Sequence, residues 1–180
     1  MGPYIFLIIF FVNLHLIQTA IPPLPSYDRQ VNALLANMTD EEKVGQMTQV
    51  NIDLILKDPQ ASWDRVEVDP IKLSRTIQDY KVGSILNVPP GGALTLDQWQ
   101  NIIKQIQDEA QKTRLSIPIL YGVDSIHGAN FIRNAILFPH ATALAATFNT
   151  TLVHTIGKIA AHQTRATAIP WSFHPQVDIG

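Results

Sequence analysis

Asp124 has the residue type and the position in this 180-residue chain that suit it to binding a ligand. It lies in residues 121–128 (YGVDSIHG), directly after an apolar run that has the length of a buried strand. Barrel and open α/β folds bind ligands where strands end. A carboxylate there can accept hydrogen bonds from two sugar hydroxyls at once, or it can cap the backbone of the following loop. The spacing alone leaves both interpretations open.

His127 follows three residues after Asp124. Its ring can line the same site, orient Asp124, or bond a neighbouring backbone carbonyl. The pattern favours a bond to a backbone carbonyl over direct catalysis by His127.

Other chemical motifs are excluded by their spacing. Ser125 lacks the G-x-S-x-G frame of a hydrolase nucleophile, and Gly91-Gly92 lacks the frame of a phosphate-binding loop. A metal site is not predicted, because two histidines eight residues apart on one helix do not form a helical metal pair and the chain has no cysteine. The histidines considered are His140, His154, His162 and His174.

An alternation of strands and helices must position these residues. Strands are predicted over 82–87, 117–123 and 171–179, and helices over 71–80, 95–110 and from about 150 to 166. This order predicts an α/β fold with a parallel sheet. Three strands make neither a closed barrel nor a stable open sheet, so the sequence is expected to be truncated at Gly180.

Apolar spacing predicts which helix faces are buried. The helix over 95–110 carries one stripe of core residues: Trp99, Ile102, Ile103, Ile106 and Ala110. The helix over 71–80 is expected to bury Leu73, Ile77 and Tyr80. A short helix is also predicted over 27–36.

Residues 39–42 (TDEE) form a capping box that predicts a further helix start. Val44 and Met47 of this helix are expected to point inward, and the helix is expected to end near Gln49. Residues 51–70 are interpreted as a loop with one turn of helix.

Composition predicts one ordinary globular domain, with 46% hydrophobic and 16% charged residues. The net charge is −2 and the basic residues do not cluster, which excludes a nucleic-acid partner. Without cysteine, the domain must rely on an apolar core.

Residues 1–20 have the pattern of a secretory signal peptide, with an apolar run that ends before Ala20. Residues 21–26 form a Pro-rich linker. Because the first residues include no Lys or Arg, an uncleaved anchor or a buried helix is the alternative. A secreted protein without a stable membrane anchor is expected, with glycan acceptors at Asn37 and Asn149 in N-x-[ST] sequons.

Four segments, in order, resemble the N-terminal domain of glycoside hydrolase family 3. They are residues 38–47, 82–86, 122–128 and 137–149, and residues 165–171 extend the match. The similarity covers nearly everything from residue 27 to residue 180, so these residues are identified as part of the catalytic barrel of that family.

The resemblance implies the N-terminal part of a (β/α)8 barrel, with about three of its eight strands. It implies a β-glucosidase-type hydrolase that uses two carboxylates and retains the anomeric configuration. The family's nucleophile and acid/base match no residue of this chain. Asp124 matches the family residue that binds hydroxyls of the glucose. The implied partner is a β-linked glucoside or oligosaccharide, and no cofactor is implied.

Two alternatives remain from the sequence. The first is a non-catalytic, carbohydrate-binding relative that keeps Asp124. The second is an unrelated secreted protein with an open α/β sheet that binds a small ligand.

Overall fold

The computed structural model describes residues 26–175. The chain divides into two compact units, Met1–Asn37 and Met38–Gly180. In the first unit, the described residues form helix α1, Asp28–Asn37, which confirms the helix predicted over 27–36. None of its residues is buried. The predicted signal peptide and linker, residues 1–25, lie outside the described residues.

The second unit begins with helix α2, Asp40–Gln46, and its predicted capping box is confirmed. The Thr39 hydroxyl accepts from the Glu42 N–H at 3.2 Å, and the Glu42 carboxylate accepts from the Thr39 N–H at 2.9 Å. The predicted inward direction of Val44 and Met47 is wrong, because these side chains are 59% and 78% exposed. The buried residue of α2 is instead Gly45.

Gly45 lets the backbone of α2 approach the chain that leads into the second strand. A Cβ atom at Gly45 would lie 2.4 Å from the carbonyl oxygen of Lys81. Gly83 makes the reciprocal approach, since its Cβ would lie 2.4 Å from the carbonyl oxygen of Gln46. This helix therefore packs through glycine and backbone, which the apolar pattern of α2 could not indicate.

Within residues 26–175, four parallel strands form one sheet in the order β1-β2-β3-β4. They are β1 (Gln49–Asn51), β2 (Ser84–Leu86), β3 (Leu120–Val123) and β4 (Trp171–Ser172). The three predicted strands are present in shorter form, and the last part of the third prediction lies outside the described residues. The residues of β1 were predicted to be the end of a helix and the start of a loop, because a strand of three residues is too short to show an alternating pattern.

Helices connect the strands in βα units. They are α3 (Pro70–Ser74), which continues into a π-helical turn (Arg75–Asp79), α4 (Leu96–Ala110), α5 (Ala141–Ala145) and α6 (Thr150–Ala166). Two 3₁₀ turns, Ile52–Ile55 and Trp63–Arg65, lie between β1 and α3. The architecture is an α/β fold with a parallel sheet, as predicted.

The apolar core lies between the sheet and helices α3 and α4. The predicted stripe of α4 is confirmed, since all five of its residues are buried. The Trp99 ring lies edge-on to the rings of Tyr121 and Phe131. Leu73 and Ile77 are buried as expected, but the prediction for Tyr80 is wrong: its ring is 54% exposed and packs beneath the Arg75 guanidinium.

No helix within residues 26–175 is both long enough and apolar enough to span a bilayer.

Candidate functional site

Asp124 follows directly after the last residue of β3 and is exposed. Because all four strands are parallel, it lies at the edge of the sheet where every strand ends. Its carboxylate makes no hydrogen bond or ion pair with any residue that the structure describes. The loop-capping alternative for Asp124 therefore has no support in the geometry of residues 26–175.

The two faces of β3 have different surroundings. Tyr121 and Val123 are fully buried on the face that packs against the helices. Side chains alternate along a strand, so Gly122 and Asp124 belong to the opposite face. A Cβ atom at Gly122 would lie 2.5 Å from the Phe173 ring, so this ring packs directly on Gly122. The face of the sheet opposite the helices therefore carries Asp124 at the strand end and is covered by the Phe173 ring at Gly122.

The loop after Asp124 is a tight turn held by hydrogen bonds. The Gly128 N–H donates to the Ser125 carbonyl oxygen at 3.2 Å. The Phe138 N–H donates to the His127 carbonyl oxygen at 3.0 Å, and His127 Nδ1 lies 2.9 Å from the Phe138 carbonyl oxygen. The His127 ring thus bonds a backbone carbonyl, and it also lies edge-on to the ring of His140.

Further polar groups follow the neighbouring strands at the same edge. Asp53 lies just after β1, and one of its carboxylate oxygens is buried without a hydrogen-bond partner among the described residues. Asn87 follows β2, and its carbonyl oxygen accepts from the Tyr121 hydroxyl at 2.7 Å. Burial raises the pKa of Tyr121 well above its usual value, and the Asp53 carboxylate raises it further, so this hydroxyl remains a donor.

Sequence reasoning missed Asp53, because β1 was not recognised and the residues after it were interpreted as an ordinary loop. The signal that could have found it is the order of the elements. In every later βα unit of this chain, a strand precedes the helix. The same order predicts a strand before α3.

The loops that follow β1, β2 and β3 are joined to one another. The Arg133 guanidinium stacks over the Trp63 ring at 3.7 Å and links the first loop to the third. The Leu94 N–H donates to the Phe131 carbonyl oxygen, and the Arg133 N–H donates to the Leu94 carbonyl oxygen, which links the second loop to the third. Asp124 therefore belongs to a rim whose loops support each other.

The two predicted glycan acceptors are exposed. Asn37 is the last residue of α1, and Asn149 caps the start of α6, where its side-chain oxygen accepts from the Leu152 N–H at 2.9 Å. That bond uses the oxygen and leaves the amide nitrogen, the atom that a glycan would occupy, outside the cap. In residues 26–175, no three His, Asp or Glu side chains form a group that could hold a metal ion.

Comparison with known proteins identifies the family. The sequence profile described as the glycosyl hydrolase family 3 N terminal domain matches residues 39–180. The chain belongs to glycosyl hydrolase family 3. This membership shows that the alternative of an unrelated open-sheet protein is wrong.

Curated proteins similar to this chain carry glucosidase names. A lysosomal beta glucosidase of Dictyostelium discoideum is 37% identical over 161 residues, which are 85% of this chain and 19% of that protein. A periplasmic beta-glucosidase of Salmonella typhimurium is 27% identical over 84% of this chain and 17% of its own length. The chain thus spans about a fifth of the length of the curated relatives it matches.

A solved structure of a beta-glucanase shares the fold. It is a Q683A mutant of the exo-1,3/1,4-beta-glucanase ExoP from a Pseudoalteromonas species, with a TM-score of 0.70 and 30% identity. The match covers 87% of this chain and 24% of that enzyme. The four-stranded parallel sheet therefore corresponds to the N-terminal, barrel-like part of a family 3 enzyme.

Proposed function

We propose that this protein acts as a β-glucosidase-type glycoside hydrolase, which releases glucose from the non-reducing end of β-glucosides or β-glucans. The observation that carries the proposal is the exposed Asp124 carboxylate, which has no partner among the described residues, at the carboxyl end of β3 in a family 3 chain. The names of the relatives, beta-glucosidases and an exo-beta-glucanase, support the substrate class.

Asp124 acts in substrate binding. An ionised carboxylate has two oxygens and accepts hydrogen bonds from two adjacent sugar hydroxyls, which fixes the ring relative to the sheet edge. Such bonds accelerate the reaction when they are stronger in the transition state than in the bound substrate. His127 lines the loop beside this carboxylate.

The reaction proceeds with retention through two further carboxylates. One attacks the anomeric carbon, and the other protonates the leaving oxygen and then activates water; such pairs lie about 5 Å apart. The resemblance to the family assigns neither role to residues 39–180. We therefore expect these residues to supply sugar binding without the groups that cleave the bond.

The protein enters the secretory route. Support comes from the signal pattern of residues 1–20 and from the lysosomal and periplasmic names of two relatives. Expression in a eukaryotic cell line tests this. We expect secreted protein that begins at Ile21 and carries glycans at Asn37 and Asn149, and retention of an unglycosylated protein inside the cell would contradict it.

Sequon variants separate glycosylation from helix capping. Thr151→Ala removes the sequon of Asn149 but keeps its side chain as the cap of α6, so it should remove one glycan and leave folding intact. Asn37→Gln is the matching change at the other sequon, because Thr39 itself caps α2 and is best left in place.

A transplant tests the activity. Residues 39–180 replace the corresponding segment of the Dictyostelium relative, and we call the product the transplant enzyme. The expected result is hydrolysis of an aryl β-glucoside by the transplant enzyme and none by the 180-residue chain. A transplant enzyme that folds and binds glucose without hydrolysis would contradict the enzyme proposal and favour the non-catalytic carbohydrate-binding alternative.

A further inference from the structure

The direction of the Asp124 carboxylate needs an explanation, because no side-chain bond within residues 26–175 fixes it. A free carboxylate at a strand end would rotate and would lose entropy on binding a sugar. Its Cα position and its backbone direction are therefore set by β3 on one side, where Val123 pairs with Ser172, and by the turn of residues 125–128 on the other.

His127 and Phe138 hold that turn by two reciprocal hydrogen bonds. The Phe138 N–H donates to the His127 carbonyl oxygen at 3.0 Å. The Phe138 carbonyl oxygen lies 2.9 Å from His127 Nδ1. A carbonyl oxygen only accepts, so Nδ1 carries the hydrogen and the ring donates it. This pair joins the turn to a segment eleven residues further along the chain.

Packing reinforces the same contact. Gly128 has a φ of 76°, a conformation that favours glycine, and a Cβ atom there would lie 2.7 Å from the Phe138 ring. Phe138 thus contacts the turn in two ways: its backbone forms hydrogen bonds with His127, and its ring packs on Gly128. The His127 ring is half-buried and lies edge-on to the His140 ring, with 5.7 Å between their centroids.

We propose that His127 is a positioning residue for Asp124, which acts by fastening the turn to Phe138. The inference rests on the proposed function, since it explains how the sugar-binding carboxylate is held. Its Nδ1–H donates to the Phe138 carbonyl oxygen, so His127 stabilises the loop through that hydrogen bond. The residue that contacts the sugar is Asp124.

Two variants of His127 distinguish this role from general packing. His127→Asn keeps an N–H donor at the same number of bonds from Cα as Nδ1, whereas His127→Ala removes the donor. In the transplant enzyme, His127→Ala should lower kcat/KM about tenfold, the effect of one lost hydrogen bond, and His127→Asn should restore most of it. His154→Ala, at an exposed position on α6, is the matched control and should leave kcat/KM unchanged.

Two readouts decide whether the effect passes through Asp124. In an Asp124→Asn background, His127→Ala should cost little more, because residues that act through one another are non-additive. Hydrogen exchange of the Phe138 and Gly128 amides should be faster in His127→Ala and near wild type in His127→Asn.

Failure of this inference is separable from failure of the proposed function. If the folded transplant enzyme does not hydrolyse the aryl β-glucoside, the proposed function fails. If it does, but Asp124→Asn leaves kcat/KM unchanged, the sugar-binding role of Asp124 fails and the positioning inference fails with it. If Asp124→Asn lowers kcat/KM but His127→Ala is fully additive with it, or if the exchange of the turn is unchanged in His127→Ala, only the positioning inference is overturned.

Discussion

Trp99 donates its indole N–H to the carbonyl oxygen of Phe131 at 3.0 Å. The bond joins the first turn of α4 to the loop that follows β3, the loop that carries Asp124. The two side chains also pack edge-on, with 5.6 Å between ring centroids. A fully buried core residue therefore supports both the helix layer and the rim of the candidate site.

Truncation of Trp99 should separate packing from hydrogen bonding. Trp99→Phe loses the indole N–H but leaves the Phe131 carbonyl oxygen bonded to the Leu94 N–H. We therefore expect the lost hydrogen bond to lower the free energy of unfolding by about 1 kcal/mol, in addition to the effect of the smaller buried apolar area. Trp99→Ala also leaves a cavity and should cost about 3–5 kcal/mol. Urea unfolding of the transplant enzyme measures both changes, and equal costs would contradict this account of the core.

Two glycines in helices should respond to alanine with opposite signs. At Gly45 of α2, a Cβ would lie 2.4 Å from backbone at Lys81, so Gly45→Ala should destabilise by about 1–3 kcal/mol through overpacking. At Gly157 of α6, no atom of residues 26–175 outside the chain neighbours and the helix's own backbone lies within 4 Å of an added Cβ. Gly157→Ala should stabilise by up to about 1 kcal/mol through helix propensity. The urea midpoints give the signs, and a neutral Gly45→Ala would contradict the close approach.

The ion pair of Glu42 and Arg114 predicts a pH dependence. Hydrogen bonds from the Arg114 guanidinium, and then from the Thr39 N–H, lower the pKa of Glu42 from 4.5 to about 2. A folded-state pKa below the unfolded value stabilises the fold above that unfolded value. This contribution is lost as pH falls from about 4.5 to about 2.

Glu42→Gln tests that window, because glutamine also completes a capping box and only the charge is removed. The urea midpoint of the variant should lie below that of the wild type at neutral pH, and the difference should vanish near pH 2. Salt at 1 M should reduce the neutral-pH difference, since an exposed pair is screened. A difference that persists unchanged at pH 2 would contradict the role of this ion pair.

Local patterns predicted the elements that carry their own signal. The stripe of α4 and the capping box at Thr39 depend on residues three or four apart in the chain, and both are present in the structure. The pattern failed for Val44 and Met47, because α2 is only seven residues long and packs through Gly45. Helix periodicity cannot reveal a contact made by the absence of a side chain.

Long-range contacts explain what the sequence could not predict about the site. The position of Asp124 at a strand end follows from local signals, since β3 is apolar and is followed by glycine and polar residues. How separate loops pack together determines the bonds between His127 and Phe138. It also determines the burial of the Asp53 oxygen that has no hydrogen-bond partner within the described part of the chain. The spacing of residues within one segment does not determine how separate loops pack against each other.

The central claim is that Asp124 binds the sugar, and kcat/KM of the transplant enzyme for an aryl β-glucoside tests it most directly. Asp124→Asn should lower kcat/KM by the equivalent of about 2–4 kcal/mol, the loss of charged hydrogen bonds to substrate. Asp108→Asn, an exposed carboxylate of α4 paired with Lys104, is the matched control and should have no effect. An Asp124→Asn enzyme with the kcat/KM of the parent would contradict the account.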